Sequence, residues 1–234
     1  MEIDYKKIKV IGFDADDTLW VNETYFRDAE IEFGKLLSSY ETINKIDQEL
    51  FKMEMKNLDL YGYGVKAFIL SMIESALEIS NHQVSTKTIE AILNIGKNML
   101  NKPVELLDGV EEVLKTLSKK YRIILATKGD LLDQERKLEK SGLTDYFHHI
   151  EVLSDKKEAN YSKLLNHLDI KPSEFLMIGN SLKSDILPLV NIKAHAIHIP
   201  FHTTWAHEQV SEAETNGKAY KTINTLTELL KILN

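Results

Sequence analysis

Ile8-Lys9-Val10-Ile11-Gly12-Phe13-Asp14-Ala15-Asp16-Asp17-Thr18-Leu19-Trp20 decides how this chain is read. An apolar, β-branched run stops at three carboxylates within four residues. Val, Ile and Phe suit a strand interior, whereas carboxylates are rare in a buried sheet. The run therefore predicts a buried strand that delivers its acids to the C-terminal rim of a sheet. That rim is where open α/β sheets bind their ligands. Two aspartates two residues apart, followed by Thr18, suit a metal-assisted reaction with one carboxylate as nucleophile and another as proton carrier. The alternative is a strand that ends in an acidic turn, with Asp and Thr as caps or Asx-turn formers.

Three later runs resemble the first. Tyr121–Ala126 ends at Thr127, Glu174–Ile178 ends at Gly179 and Asn180, and Ala194–Ile199 ends at Pro200. Each is short, apolar and flanked by helical pattern, as buried parallel strands are. A last strand is expected near Tyr220–Ile223, before a helix over Leu226–Leu233. Asp108 is placed to cap a helix carrying Val110, Val113, Leu114 and Leu117. Further helices are expected over Leu131–Lys140, closing at Gly142, and over Asn160–Leu168. Strand and helix in alternation predict right-handed βαβ units: an α/β fold with a doubly wound parallel sheet.

Residues 21–102 break this rhythm. Phe26, Ile31, Phe33, Leu36 and Leu37 mark one amphipathic helix, and Ile46, Leu50 and Met53 a second. Val65, Phe68, Ile69, Met72, Ile73, Ala76 and Leu77 mark a third at spacings of 3, 4 and 7, and Ile89, Ile92, Leu93 and Leu100 a fourth. The expected organisation is a core of residues 1–20 and 103–234, interrupted by a helical insert over 21–102.

Composition narrows the function. The 234 residues carry a formal net charge of −7, which argues against nucleic acid or an anionic membrane surface as partner. No run approaches the roughly 20 apolar residues that span a bilayer. The first apolar run carries Lys9 and leads into Asp14, so it reads as a strand rather than a signal peptide. There are no cysteines, which removes thiolate zinc sites and cysteine nucleophiles and fits a reducing, cytoplasmic compartment.

A central first strand would bring Asp14, Thr127 and Asn180 to one rim, with Asp185 a short loop further on. Asp14 and Asp185 would offer two anionic oxygens to a hard cation. Mg²⁺ fits, because it takes one or two carboxylates, keeps waters and binds substrate phosphate. Thr127 offers a hydroxyl to a phosphoryl oxygen, and Lys156 or Lys157 can neutralise developing charge.

These residues carry a resemblance. Phe13-Asp14-Ala15-Asp16-Asp17-Thr18-Leu19-Trp20 resembles the first signature of the haloacid dehalogenase (HAD) superfamily, Asp-x-Asp-x-Thr. Leu125-Ala126-Thr127-Lys128-Gly129 resembles the second, Lys156 the third, and Gly179-Asn180-Ser181-Leu182-Lys183-Ser184-Asp185 the fourth. All four stand in family order and span nearly the whole chain. The insert resembles the family's C1 helical cap, which opens for substrate and closes to exclude water.

The resemblance implies a Mg²⁺-dependent phosphatase acting on a small phosphorylated metabolite. Asp14 would attack phosphorus and form an aspartyl phosphate. Asp16 would protonate the leaving oxygen and then deprotonate water. The Asp14 carboxylate, the Asp16 carbonyl and Asp185 would hold Mg²⁺, with Asn180 beside them. Thr127 and Lys156 would bind the phosphoryl group. Asp16 also separates reaction classes. Dehalogenases of the family carry Tyr there, and a halide leaves without a proton, whereas an alkoxide benefits from an acid.

Two positions depart from the pattern. Asn180 stands where Asp is usual, which removes one charge from the metal site. Lys128 stands where Asn is common, and reads either as a phosphate ligand or as a solvated lysine. Asp17 reads as a rim or turn residue. Tyr161 begins the apolar face of the next helix, and the resemblance implies a catalytic lysine about five positions before it, which favours Lys156 over Lys157 as the third signature. Leu60-Tyr61-Gly62-Tyr63-Gly64 reads either as a plain helix–helix turn or as a substrate-selecting cap loop through Tyr61 and Tyr63. His195 and His198 fall on opposite faces of their strand and argue against a zinc cluster with His202 and His207. A phosphomutase, a 2-haloacid dehalogenase and a non-enzymatic phospholigand-binding protein remain the alternatives.

Overall fold

The computed structural model describes residues 5–233. The chain forms two compact units. One comprises Met1–Glu23, Val104–Lys128 and Gln134–Asn234; the other comprises Thr24–Pro103 with Gly129–Asp133.

The first unit is built on six parallel strands: β1 (Val10–Phe13), β2 (Arg122–Lys128), β3 (His149–Leu153), β4 (Phe175–Gly179), β5 (His195–His198) and β6 (Lys221–Thr222). Their order is β3-β2-β1-β4-β5-β6, so the acid-bearing first strand lies inside the sheet. Phe13 pairs with Leu125 of β2 and with Ile178 of β4. Strand β4 therefore ends one residue beyond β1 and β2 three residues beyond it, all at the same rim of the sheet.

Side-chain alternation separates two cores. Ile11, Phe13, Ile123, Leu125, Leu176, Ile178 and Ile197 share one apolar cluster with Val110, Val113, Leu114 and Leu117 of α5 (Val110–Leu117). Val10, Ile124, Ala126, Phe175, Met177 and Ala196 share the other with Tyr161, Leu164 and Leu165 of α7 (Glu158–His167). Burial on both faces explains why these strands read as unbroken apolar runs rather than as alternating ones. Helix α6 (Leu131–Ser141) follows β2 and closes at Gly142, which has φ +71°.

The second unit holds α1 (Glu23–Leu37), whose first residue belongs to the sheet unit, with α2 (Ile43–Tyr61), α3 (Val65–Ile79) and α4 (Thr86–Asn101). Phe33, Leu37, Ile46, Leu50, Phe68, Met72, Ala76, Ile92 and Ile95 form its own core. Ser85 caps α4 by accepting the Thr88 N–H. Among the described residues no helix is long and apolar enough to cross a membrane.

Four sequence expectations need correction. Strand β3 was not anticipated: His148, His149 and Glu151 hide its pattern, and as an edge strand it is only half-buried throughout. Asp108 does not cap α5. Gly109 holds that position at φ +77°, where an added Cβ would also lie 2.6 Å from the Thr227 methyl. The final helix is confined to Glu228–Ile232, after a turn in which the Glu228 carboxylate accepts the Asn224 and Thr225 amides. The turn near Tyr61 is shorter than read, because Leu60 and Tyr61 still belong to α2 and only 62–64 connect to α3.

Leu125 is fully buried in β2 beside the central strand. Leu125→Ala is expected to cost about 2–5 kcal/mol through lost burial and a residual cavity. Chemical denaturation monitored by circular dichroism measures that loss.

Candidate active site

Strand β1 ends at Phe13, and the Asp14 amide donates to the Ile178 carbonyl at 2.9 Å. That bond carries the ladder one residue further and holds Asp14 at the sheet's rim. The Asp14 carboxylate meets two donors. Lys156 Nζ donates to Oδ1 at 2.5 Å, and the Thr18 hydroxyl donates to Oδ2 at 2.9 Å. Lys156 Nζ also donates to Asp185 Oδ1 at 2.6 Å. One buried ammonium thus joins two buried carboxylates from distant parts of the chain. Lys157, by contrast, is exposed and pairs with Asp155 at 2.7 Å, so Lys156 is the lysine that reaches the site.

Charge explains the electrostatics of this cluster. Two carboxylates face one ammonium, which leaves an excess of negative charge in a desolvated place. Burial, then the neighbouring Asp185, push the Asp14 carboxyl up, and Lys156 only partly offsets them. Burial alone would lower the Lys156 ammonium; Asp14 and Asp185 outweigh it and hold the group well above its usual value. Such a cluster is weak as a stabilising device and informative as a sign of function.

Asp185 is aimed by its own turn. A single π-helical turn over Leu182–Ile186 follows β4. The Ser181 amide donates to Asp185 Oδ2 at 3.0 Å, and the Asp185 amide donates to the Ser181 carbonyl at 2.8 Å. Gly179 lets the carboxylate lie against the end of β4, since a Cβ there would collide with it. On the other side Tyr161 donates its hydroxyl to the Ser184 carbonyl at 3.0 Å.

The remaining expected residues divide. Thr127 is buried on β2 at the same rim, and its hydroxyl donates to the Lys128 carbonyl at 3.2 Å. The Asn180 amide donates to Thr18 Oγ1 at 3.1 Å, and its side-chain oxygen lies 3.3 Å from that hydroxyl, so Asn180 joins the cluster through Thr18. Asp17 is a turn residue at φ +60°, and its carboxylate accepts the Asn22 and Glu23 amides at the start of α1. Tyr61 and Tyr63 belong to the helical unit, where the Tyr61 phenol donates to Glu74 at 2.6 Å.

Asp16 turns to different partners from Asp14. Its carboxylate accepts from Trp20 Nε1 at 2.7 Å, Lys137 Nζ at 2.7 Å and Gln134 Nε2 at 2.9 Å. Burial pushes this carboxyl up, but Lys137 and then Gln134 and Trp20 outweigh it and bring it below its usual value. In this conformation Asp16 is a carboxylate, not an acid. Nothing in the Asp-x-Asp-x-Thr pattern points to Gln134 or Lys137; they reach Asp16 only because α6 returns along the sheet.

Lys128 is corrected more sharply. It is not a solvated lysine: its side chain is 13% exposed, and its ammonium donates to Glu208 Oε1 at 2.6 Å and to Ser184 Oγ at 2.9 Å. Glu208 has no sequence signature and was missed. Its second oxygen accepts from Ser181 Oγ at 2.5 Å and from Ser184 Oγ at 2.6 Å.

The donor set fits a hard cation. Asp14 and Asp185 each place a carboxylate oxygen on Lys156 Nζ, and one lysine leaves negative charge in excess. Among the described residues no group of three or more His, Cys, Asp or Glu is placed to hold a metal ion by itself. Two carboxylates with waters and a carbonyl suffice for Mg²⁺.

Burial raises the Glu208 carboxyl, but Lys128, Ser181 and Ser184 outweigh it and bring it down to about 2. Folding therefore favours its ionised form. The resulting stability is present above the ordinary value of 4.5 and declines as pH falls from there toward about 2. Unfolding free energies measured between pH 6 and 2 should fall less steeply for Glu208→Gln than for the wild type across that window.

Comparison with known proteins agrees with this geometry. A family model described as haloacid dehalogenase-like hydrolase matches residues 8–192. N-acylneuraminate-9-phosphatase from Mus musculus is 26% identical over 191 residues, 77% of each chain, and the enzyme from Rattus norvegicus is 25% identical over the same length. The crystal structure of a haloacid dehalogenase-like family hydrolase from Xanthomonas campestris superposes with a TM-score of 0.85 at 36% identity, covering 97% of this chain and 92% of that one. A HAD hydrolase from Bacillus subtilis, solved with magnesium bound, shares the fold at a TM-score of 0.63 and 18% identity, over 97% of this chain and 99% of its own. With its six parallel strands and an aspartate at the end of the first, the chain belongs to the haloacid dehalogenase-like hydrolases.

Proposed function

We propose that this hydrolase is a Mg²⁺-dependent phosphatase that cleaves a small phosphorylated metabolite through an aspartyl phosphate. The observation that carries the reading is the buried Lys156 ammonium bonded to both Asp14 and Asp185. Phosphate esters resist attack because nucleophile and phosphoryl group are both anionic, so a phosphatase needs concentrated positive charge beside a fixed nucleophile. Asp14, the Asp16 carbonyl and Asp185 would hold Mg²⁺, with Asn180 at its margin. When bound, the cation offsets charge on the phosphoryl oxygens.

Asp14 attacks phosphorus as the ester P–O bond breaks. Thr127 and Lys156 bind the phosphoryl oxygens. Asp16 gives a proton to the leaving oxygen and later takes one from the attacking water. Because Asp16 now accepts from Trp20, Gln134 and Lys137, its acid role belongs to a state in which those bonds are exchanged for substrate. The helical unit acts as the substrate-selecting cap, with Tyr61 and Tyr63 as substrate contacts. Likeness to the N-acylneuraminate-9-phosphatases favours a phosphate ester and makes a phosphorylated acyl sugar acid the first substrate to try.

A panel of phosphorylated metabolites, assayed for phosphate release with Mg²⁺ and with EDTA, tests the reading. Release that requires Mg²⁺ supports it. Phosphoryl return to the same sugar would indicate a mutase, halide release from a 2-haloacid a dehalogenase, and no turnover on any member a binding protein. Asp14→Asn should lower turnover at least about a thousandfold while leaving the circular dichroism spectrum unchanged.

The acid assignment has its own test. Asp16→Asn should slow alkyl phosphate hydrolysis by about 10²–10⁴-fold, and aryl phosphates with stable leaving groups much less. Equal losses on both substrate types would remove Asp16 from that role.

A further inference from the structure

We propose that Glu208 is a positioning residue that holds the Asp185-bearing turn in register for the cation, from a segment outside all four signature stretches. The inference rests on the phosphatase reading and extends it to how the cation site is kept in shape. Glu208 lies at the end of a short 3₁₀ turn, Ala206–Glu208, after the fifth strand. Its carboxylate is largely buried, with the side chain 12% exposed, and both oxygens are committed. One accepts from Lys128 Nζ at the end of β2; the other accepts from the hydroxyls of Ser181 and Ser184, which flank the start of the turn.

Those two serines define the turn. Ser181 Oγ accepts the Ser184 amide at 3.0 Å, and the Ser181 amide donates to Asp185 Oδ2 at 3.0 Å. Two hydrogen bonds therefore connect Glu208 to the oxygen of Asp185 that Lys156 does not hold. Lys183 adds a second tie from the turn, donating to the His207 carbonyl at 2.6 Å. Serine hydroxyls rotate freely unless an acceptor directs them. A fixed carboxylate sends both hydroxyl protons one way and leaves the Ser181 oxygen to take the Ser184 amide. Partners of this kind orient ligating carboxylates, and their loss weakens metal affinity or activity.

Lys128 completes the device. Its ammonium balances Glu208, so the carboxylate adds no uncompensated charge near Asp14 and Asp185, and Lys128 is withdrawn from service as a mobile phosphate ligand.

The test is Mg²⁺ binding by isothermal titration calorimetry on the whole protein without substrate, alongside the Mg²⁺ concentration that half-saturates turnover. Glu208→Ala should raise the Mg²⁺ dissociation constant and that half-saturating concentration by about tenfold or more, with kcat at saturating Mg²⁺ falling less than that. Glu208→Gln, which keeps one acceptor oxygen, should recover part of the affinity. Ser181→Ala cuts the same tie without leaving Lys128 unpaired, and should move Mg²⁺ binding in the same direction if Glu208→Ala does not fold. A folded Glu208→Ala or Ser181→Ala protein that binds Mg²⁺ within about twofold of wild type overturns the inference. Wild-type protein that binds no Mg²⁺ by calorimetry overturns the phosphatase reading instead, which keeps the two failures apart.

Discussion

The arrangement on which everything else depends is one desolvated ammonium shared by two carboxylates. Lys156 Nζ sits 2.5 Å from Asp14 and 2.6 Å from Asp185. Removing three charged groups from water is costly, and a single lysine does not neutralise two acids. A protein that needed only stability would fill this place with apolar side chains. The residual negative charge makes sense where a cation and an anionic substrate meet.

The fold meets that demand with parallel strands, whose C-terminal ends all lie at one rim of the sheet. Asp14 follows β1, the Asp185 turn follows β4, and Lys156 follows β3 by a short loop. The inner strands are apolar on both faces through their middles, so charged and polar groups gather at their ends, and the candidate site takes the C-terminal ones. Burial of the sheet and concentration of charge at its rim are thus one constraint seen from two sides. The segment carrying Glu208 uses the same rim, bracing the turn after β4 from beyond β5.

Asp16 follows a different logic from Asp14. Two residues on, it faces Trp20, Gln134 and Lys137 and is held as an anion. Asp17, next to it, is spent on the turn that starts α1. Three neighbouring carboxylates therefore have three environments. That is how one acidic stretch can supply the proposed nucleophile, the proposed proton carrier and a structural anchor without the groups competing for one role.

What the linear order decided on its own was the parallel α/β core and the first acid of the site. Those signals are local: strands buried on both faces leave unbroken apolar runs, and a carboxylate directly after such a run lies at the sheet's rim. The helical segment was legible for the same reason, in apolar residues spaced by three and four. Edge strand β3 escaped because half-burial tolerates His149 and Glu151, and Asp108 misled because close approach to Thr227 and a positive φ required Gly109 at the cap instead. Only the tertiary structure drew Lys128 out of solvent onto Glu208, and set Gln134 and Lys137 against Asp16. Those choices depend on which groups lose water together, and that is a property of chain segments brought near one another in space, which spacing along the chain does not encode.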